Sequence, residues 1–376
     1  MLAVISQKLA ERHDVTILSI DTATDMSMYG YDRSKVKFDY ISYGHPHLAE
    51  YYACKFCSLL YKKVLPHGRW SSRLYSRSFF LPSYKRRLVA KLNAGGYDVV
   101  VGVHAFLSLH LASVRDRLQA PQVIGWMHNS YEALFEKEHP YLPGLKRFFG
   151  DEMRRMDSVV VLSHRDAKAF RERLQLDKVR VIYNPLTLEP KGAGAFSYRK
   201  FLSVGRFTAG HKGFDLLIKA FAAFARSDSG WTLEIVGEGP EEASYRRLIA
   251  DYHLEDRVRL CPFTTDIQRH YSHASVYVLS SRWEGQPLVL LEAMAHGLPV
   301  ISSDIPVARE LLEGNGASLL FPVGDIPRMS EFMLRMAMLD EAAWAEMSGK
   351  ARQYALRFSL DDIIREWESV FLTVHQ

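Results

Sequence analysis

The chain has 376 residues, 48% of them hydrophobic and 24% charged, with a formal net charge of +5 and three cysteines. That length supplies two cores rather than one, and the composition excludes a disordered chain and a disulfide scaffold. No apolar run approaches the ~18 residues of a membrane-spanning helix, and the opening MLAVISQKLAERHD lacks the apolar core and cleavage site of a secretory leader, so a reducing, cytoplasmic setting is expected.

Short β-branched runs alternate with longer stretches of helical period. A helix, AVISQKLAERHD, comes first and runs into a strand over 14–20, with another strand over 36–42. A doubly wound nucleotide-binding domain opens on a strand and a glycine-rich turn before its first helix, so the first strand of this domain is expected to be missing. Residues 51–97 stand apart: they hold ten Lys and Arg, no Asp or Glu, and ten aromatic residues, among them Tyr51, Tyr52, Phe56, Trp70, Phe79 and Phe80. Cations beside rings suit an anionic membrane surface, where Coulomb attraction acts together with rings at headgroup depth. A solvated face over buried rings competes with that reading, and a nucleic-acid patch competes less well, so no nucleic-acid partner is expected. The pair Cys54-x-x-Cys57 has no second pair to complete a metal site and reads as two thiols on one segment.

Further strands are expected at 98–103, 122–127, 158–163 and 178–183. Residues 184–198, with two prolines and two glycines, read as a linker. A second set of strands follows at 200–205, 232–237, 257–261, 275–280, 299–303 and 317–321. The final helix, within 358–376, places Ile363, Ile364, Trp367, Val370 and Phe371 on one side. Near-continuous apolar strands separated by helices are the pattern of parallel sheets covered on both faces, and two such sets mean two doubly wound α/β domains, 1–183 and 199–357.

Three stretches carry candidate chemistry. After the strand KFLSVG, the loop RFTAGHKG places Arg206 and Lys212 among Gly205, Gly210 and Gly213 ahead of a helix starting near Phe214. Two cations on a glycine-flanked strand-to-helix loop suit an anionic ligand, although either alone reads as a solvated charge. A glycine turn, VGEGPEE, follows the next strand. In SRWEGQPLVLLEAMAHGLP, Glu284 leaves the C-terminal end of a strand, Pro287 suits the first position of a helix, and Gly297 ends that helix. The amides of Gly285, Gln286 and Leu288, with Pro287 as part of the turn, mark a helix N-terminus suited to phosphate. Glu292 lies among Leu288, Leu291, Met294 and Ala295, where a carboxylate needs a partner; two vicinal ribose hydroxyls would satisfy it, and an outward-facing Glu is the alternative. In the first domain His128, and less strongly His104, stand at strand ends, as site residues or as ordinary core or surface histidines.

Together SVGRFTAGHKGFDLLIKAF, LEIVGEGPE and EGQPLVLLEAMAHGLPVISSD resemble, in order and spacing, the C-terminal half of family 4 glycosyltransferases of the GT-B fold. The resemblance is close over about 178–325 and looser over 1–177. It implies two Rossmann-like domains facing a cleft, with the final helix crossing back to the first. It implies a retaining, metal-independent hexosyl transfer from a nucleoside diphosphate sugar, UDP-linked, to a glycan or lipid-linked acceptor of surface polysaccharide, lipopolysaccharide or capsule. Arg206 and Lys212 match the diphosphate clamp, Glu292 the ribose acid, Glu284 the acid near the donor sugar, and His128 a histidine that contacts that sugar. Pro262, Phe263 and Thr264 match the turn that holds the base. No D-x-D triplet is present, which fits transfer without a metal, and no cofactor is expected. The enzyme would then lie peripherally on the inner face of the cell membrane, held by residues 51–97. The fold also houses epimerases, phosphorylases and non-catalytic nucleotide-sugar binders. Two carboxylates flanking a sugar suggest a hydrolase-type double displacement, which the assignment of Glu292 to the ribose argues against.

Overall fold

The computed structural model describes residues 1–20, 30–44, 47–227 and 230–372. In chain order its first part runs α1 (Leu2–Leu9), β1 (Thr16–Ser19), β2 (Lys37–Tyr40), α2 (Leu48–Lys63), α3 (Arg69–Phe79), α4 (Pro82–Ala94), β3 (Val99–Val103), α5 (His104–Ala112), β4 (Gln122–Trp126), α6 (Tyr131–Phe135), α7 (Lys146–Met153), β5 (Ser158–Val161), α8 (His164–Leu174) and β6 (Val179–Val181). Then come β7 (Lys200–Val204), α9 (Phe214–Ala225), β8 (Thr232–Val236), α10 (Glu242–Asp251), β9 (Val258–Cys261), α11 (Ile267–Ser272), β10 (Val276–Leu279), α12 (Leu288–Ala295), β11 (Val300–Ser303), α13 (Pro306–Leu312), β12 (Ser318–Phe321), α14 (Ile326–Ala337), α15 (Glu341–Ala355) and α16 (Leu360–Phe371). Each strand window read from the sequence contains one strand. The end of the last expected helix, 373–376, lies outside the described residues. No described helix is long and apolar enough to cross a membrane.

The chain divides into two compact units, Met1–Asn184 with Leu360–Gln376, and Pro185–Ser359. In the first unit β3-β4-β5-β6 form one parallel sheet, and β1 and β2 pair as a separate parallel sheet. Burial follows pairing: β4 and β5, with a neighbour on each side, are buried throughout, whereas β1 is half-buried along its length. Side chains alternate across β4. Val123 joins a core with Leu109, Phe148 and Phe170, while Ile124 and Trp126 face the other way. There they meet Ile5 of α1 and Ile363, Ile364 and Trp367 of α16. Trp126 and Trp367 pack edge to face at 4.8 Å. The apolar stripe read in the last helix is thus buried in the core of the first unit.

The second unit holds one parallel sheet in the order β12-β11-β10-β7-β8-β9. The chain runs outward from β7 to β9, then crosses back to β10 and runs outward the other way. The order therefore reverses between β7 and β10, and the loops leaving their C-terminal ends meet at that point, where open α/β sheets bind ligands. Phe201, Leu217, Phe221, Ile235 and Met333 fill the core on one side of the sheet. Residues 184–198 are the segment read as a linker. From Pro185 they belong to the second unit, with Gly194 donating to the His296 carbonyl at 2.9 Å and Ala195 to that of Ala274 at 3.1 Å. Backbone donors that find acceptors on the domain surface hold the segment down despite its composition.

Candidate functional site

The loop after β7 and the loop after β10 are laced together. Gly213 caps α9 with φ +67°, and a Cβ there would stand 2.1 Å from the Ser280 carbonyl oxygen. Only glycine lets the two backbones lie this close. Ser280 Oγ donates to the Lys212 carbonyl at 2.8 Å, and the Arg282 amide to that of His211 at 2.8 Å. The Arg282 guanidinium grips both oxygens of Asp215, at 3.0 and 2.8 Å.

This lacing presents Lys212 to Glu284. Lys212 Nζ lies 2.7 Å from Glu284 Oε1, and Ser281 Oγ donates to the same oxygen at 2.6 Å. His211 Nε2 stands 3.6 Å from Oε2, just beyond hydrogen-bond length, and its ring stacks on Trp283 at 3.8 Å. Burial opposes ionisation of the Glu284 carboxyl, but His211, Lys212 and Ser281 together outweigh it and hold the group at about 2. Glu284 is therefore a fixed carboxylate at neutral pH. The resemblance assigns Lys212 to the diphosphate and Glu284 to the sugar; in this structure they are partners. Arg206 is exposed and makes no side-chain hydrogen bond or ion pair among the described residues.

Pro287 is the residue before α12 rather than its first helical residue, because its ψ of 88° lies outside the helical range. Helix geometry still leaves the first two amides of α12, Leu288 and Val289, without intrahelical acceptors, next to half-buried Gly285 and Gln286, while the Leu290 amide donates to the Pro287 carbonyl at 3.0 Å. One turn on, Glu292 is flanked by buried Leu291, Ala293 and Met294. Tyr271, fully buried on α11, donates its hydroxyl to Glu292 Oε2 at 2.8 Å. Burial pushes the Glu292 carboxyl up and the Tyr271 bond opposes it. Oε1 makes no hydrogen bond among the described residues, so one face of the carboxylate is fixed and the other is available. Beyond β9, Pro262 is exposed, Phe263 is 64% exposed, and Thr264 Oγ1 accepts from the Asp266 amide at 3.0 Å.

In the first unit His128 follows β4 and His104 follows β3, with ring centres 4.6 Å apart. His128 Nε2 is buried with no hydrogen-bond partner, and burial, then His104, lowers its pKa to about 3. It is a neutral imidazole at pH 7. His104 takes a left-handed φ of 70°, a strained geometry for a residue with a Cβ.

The structure divides the segment 51–97 between the two readings offered for it. Tyr61, Tyr75, Phe80, Tyr84 and Lys85 are buried, which corrects the assignment of the whole segment to a surface. Tyr52, Phe56 and Leu59 on α2, and Trp70 and Leu74 on α3, point outward, at 63%, 61%, 52%, 68% and 38% exposure. Exposed Lys55, Lys62, Lys63, Arg69, Arg73 and Arg77 lie on or between the same two helices.

Sequence reasoning missed Ser281, His211 and Tyr271. The first two adjoin residues it named and were within reach of the loop argument. Tyr271 gave no signal, since an aromatic in HYSHA reads as ordinary core.

Comparison with known proteins identifies the family and the fold. The family model described as Glycosyltransferase Family 4 matches residues 2–189, half of the chain, and that described as Glycosyl transferases group 1 matches 198–338. An uncharacterized glycosyltransferase of Haemophilus influenzae is 32% identical over 216 residues, 57% of this chain and 61% of that protein. The amylovoran biosynthesis glycosyltransferase AmsK of Erwinia amylovora is 36% identical over 146 residues, 37% of this chain and 36% of its own. The aligned stretches thus span less than two thirds of these relatives. Among solved structures, HepE of Anabaena in complex with UDP and glucose superposes with a TM-score of 0.71 at 16% identity, over 99% of this chain and 95% of that one. This likeness carries the GT-B fold, two parallel-sheet Rossmann-like domains. With half its length matched by the family model, the chain belongs to glycosyltransferase family 4.

Proposed function

We propose that the protein is a retaining glycosyltransferase that moves a sugar from a UDP-linked donor to a glycan or lipid-linked acceptor in surface polysaccharide synthesis. The observation that carries this reading is the cluster at the reversal of the second sheet: Lys212 locked to ionised Glu284, beside Glu292 with one oxygen held and one available. UDP in the HepE structure and polymer synthesis in the name of AmsK support the donor and the acceptor class.

The chemistry follows from charge. As the glycosidic bond breaks, negative charge builds on the departing diphosphate. Lys212, Arg206 and the first amides of α12 supply positive charge there, which lowers the barrier if they are fixed in place beforehand. The transfer on this reading uses neither a metal nor a bound cofactor. Glu292 Oε1 accepts from a ribose hydroxyl. Glu284, ionised and tied to Lys212 and Ser281, accepts from a hydroxyl of the donor sugar rather than donating a proton. Phe263 offers an exposed face to the base. Neutral His128, in the first unit, has an unpaired nitrogen to offer a sugar hydroxyl. The outward rings and cations of α2 and α3 dock the enzyme on the anionic inner face of the cell membrane, where a lipid-linked acceptor lies.

Incubating the protein with labelled UDP-sugars and lipid-linked acceptors tests this. Turnover to a product that keeps the donor's anomeric configuration is expected, and Glu292→Ala and Lys212→Ala should abolish it. Donor binding without turnover for any acceptor would reduce the protein to a nucleotide-sugar binder.

A further inference from the structure

Another group of matched side chains lies in the second unit, away from the loops after β7 and β10. Glu234 sits in the middle of β8, 7% exposed. Its neighbours Leu233 and Ile235 enter the core, so Glu234 points to the opposite side of the sheet. There the register places Leu202 of β7 on one side of it and Arg259 of β9 on the other. Lys200, two residues before Leu202, and Cys261, two residues after Arg259, therefore flank Glu234 diagonally on the same face. His270 arrives from α11, with Nδ1 2.6 Å from Glu234 Oε1, while Lys200 Nζ is 3.4 Å from Oε2. One ligand atom each from Glu234, Cys261 and His270 lies within 4.8 Å of the other two.

A buried carboxylate needs compensation, and Lys200 and His270 provide it. That network accounts for Glu234 and His270, and the Cys261 thiol joins it through a hydrogen bond to Glu234, so three donors of different chemistry meet at one carboxylate. Cys261 is 7% exposed, and burial, then the Glu234 charge, pushes its pKa up. Thiol, imidazole and carboxylate converging from three elements are the donor set of a borderline-soft divalent ion, and a poor set for Mg²⁺ or Ca²⁺, which prefer oxygen alone. We propose that Glu234, Cys261 and His270 form a zinc site. Water would supply a fourth donor, and the His270 side chain is 21% exposed.

Bond lengths of ~2.0–2.3 Å put neighbouring ligand atoms of a tetrahedral zinc site roughly 3.3–3.7 Å apart. The Glu234–His270 pair therefore opens by about 1 Å, within reach of side-chain rotation, with the thiol already within 4.8 Å of both. Binding replaces the thiol proton, which leaves to water, and forms bonds from the metal to sulfur, oxygen and nitrogen. Lys200 remains beside the carboxylate and offsets its charge. The ion staples β8, β9 and α11 together, and α11 carries Tyr271, the partner of Glu292, immediately after His270. The metal-binding proposal does not rest on the transfer reaction proposed above, because its test reads metal binding alone.

The purified protein, stripped with a chelator and titrated with Co²⁺ as a spectroscopic stand-in for zinc, tests the site. One equivalent is expected to bind with a thiolate-to-cobalt charge-transfer band, and Zn²⁺ should displace it and raise Tm. Cys261→Ser and His270→Asn should each weaken binding at least tenfold, with Cys261→Ser losing the band, while Cys54→Ser with Cys57→Ser leaves both unchanged. Circular dichroism separates lost ligands from lost fold, and the two single variants check each other. No stoichiometric binding by the parent protein, or a band that survives Cys261→Ser and disappears with Cys54 and Cys57, overturns the proposal.

Discussion

Removing Lys212 should destabilise the second unit by an amount that its partner sets. Glu284 has 8% of its side chain exposed and is held at about 2 against an ordinary 4.5. At 1.36 kcal/mol per pH unit, that preference for the ionised form is worth about 3 kcal/mol, shared among Lys212, Ser281 and His211. Lys212→Met should therefore cost roughly 1–2 kcal/mol at pH 7, and Glu284→Gln a similar amount by orphaning the ammonium. The double variant should cost less than the sum by about 1 kcal/mol, the coupling of a contacting pair. Calorimetry on the four proteins measures the cycle. The pH dependence supplies a second reading. A depressed carboxyl contributes stability that is full above 4.5 and is lost as pH falls toward about 2. In Lys212→Met the Glu284 carboxyl rises, so less stability remains to be lost in that window. Additive costs, or an unchanged acid limb in Lys212→Met, would refute the account of Glu284 as an ionised, lysine-held group.

Three further outcomes follow from particular contacts. Tyr271→Phe removes the hydroxyl that fixes Glu292, a hydrogen bond to a charged group worth ~1.5–3 kcal/mol. The donor KM should rise roughly tenfold or more with a smaller change in kcat, and steady-state kinetics that show the reverse would remove Tyr271 from the ribose site. Trp367→Ala empties the α16 anchor of the first unit and should cost about 3–5 kcal/mol in urea denaturation; a loss below ~1 kcal/mol would mean that α16 contributes little to that core. Phe56→Ser with Trp70→Ser should reduce flotation with anionic vesicles, and added salt should release the parent protein. Equal binding to neutral and anionic vesicles would refute a charge-led membrane face.

The strands were legible because parallel strands covered on both faces are continuously apolar, as in SVVVLS and SVYVLS, and loops between such runs can be placed by glycine and proline. That placement located Arg206, Lys212, Glu284 and Glu292 on site-forming loops or the helix that follows. What lay beyond it depends on distance in the chain. Lys212 and Glu284 are 72 residues apart, and Tyr271 and Glu292 are 21 apart. Their pairing requires the strand order, which reverses at β7 and β10, and periodicity carries no information about strand order. The aromatic residues of 51–97 posed a related problem: Tyr61 and Phe56 look alike as letters, and only the packing of α2 on α3 decides which is core. Pro287 fell one position short because preference at a helix start does not fix ψ.

Among the described residues, the separate pairing of β1 with β2 gives the first unit four edge strands where one continuous sheet would leave two. Each edge carries a row of amides that no neighbouring strand protects among the described residues. Hydrogen exchange should therefore resolve this unit into parts. The amides of β4 and β5 should open only with global unfolding, while those of β1 and β2 exchange through a smaller, cheaper opening. A mutation at Ile41, which is buried in the same core as Tyr61, Tyr84 and Leu88, would then release the two-stranded piece well before the rest of the unit melts.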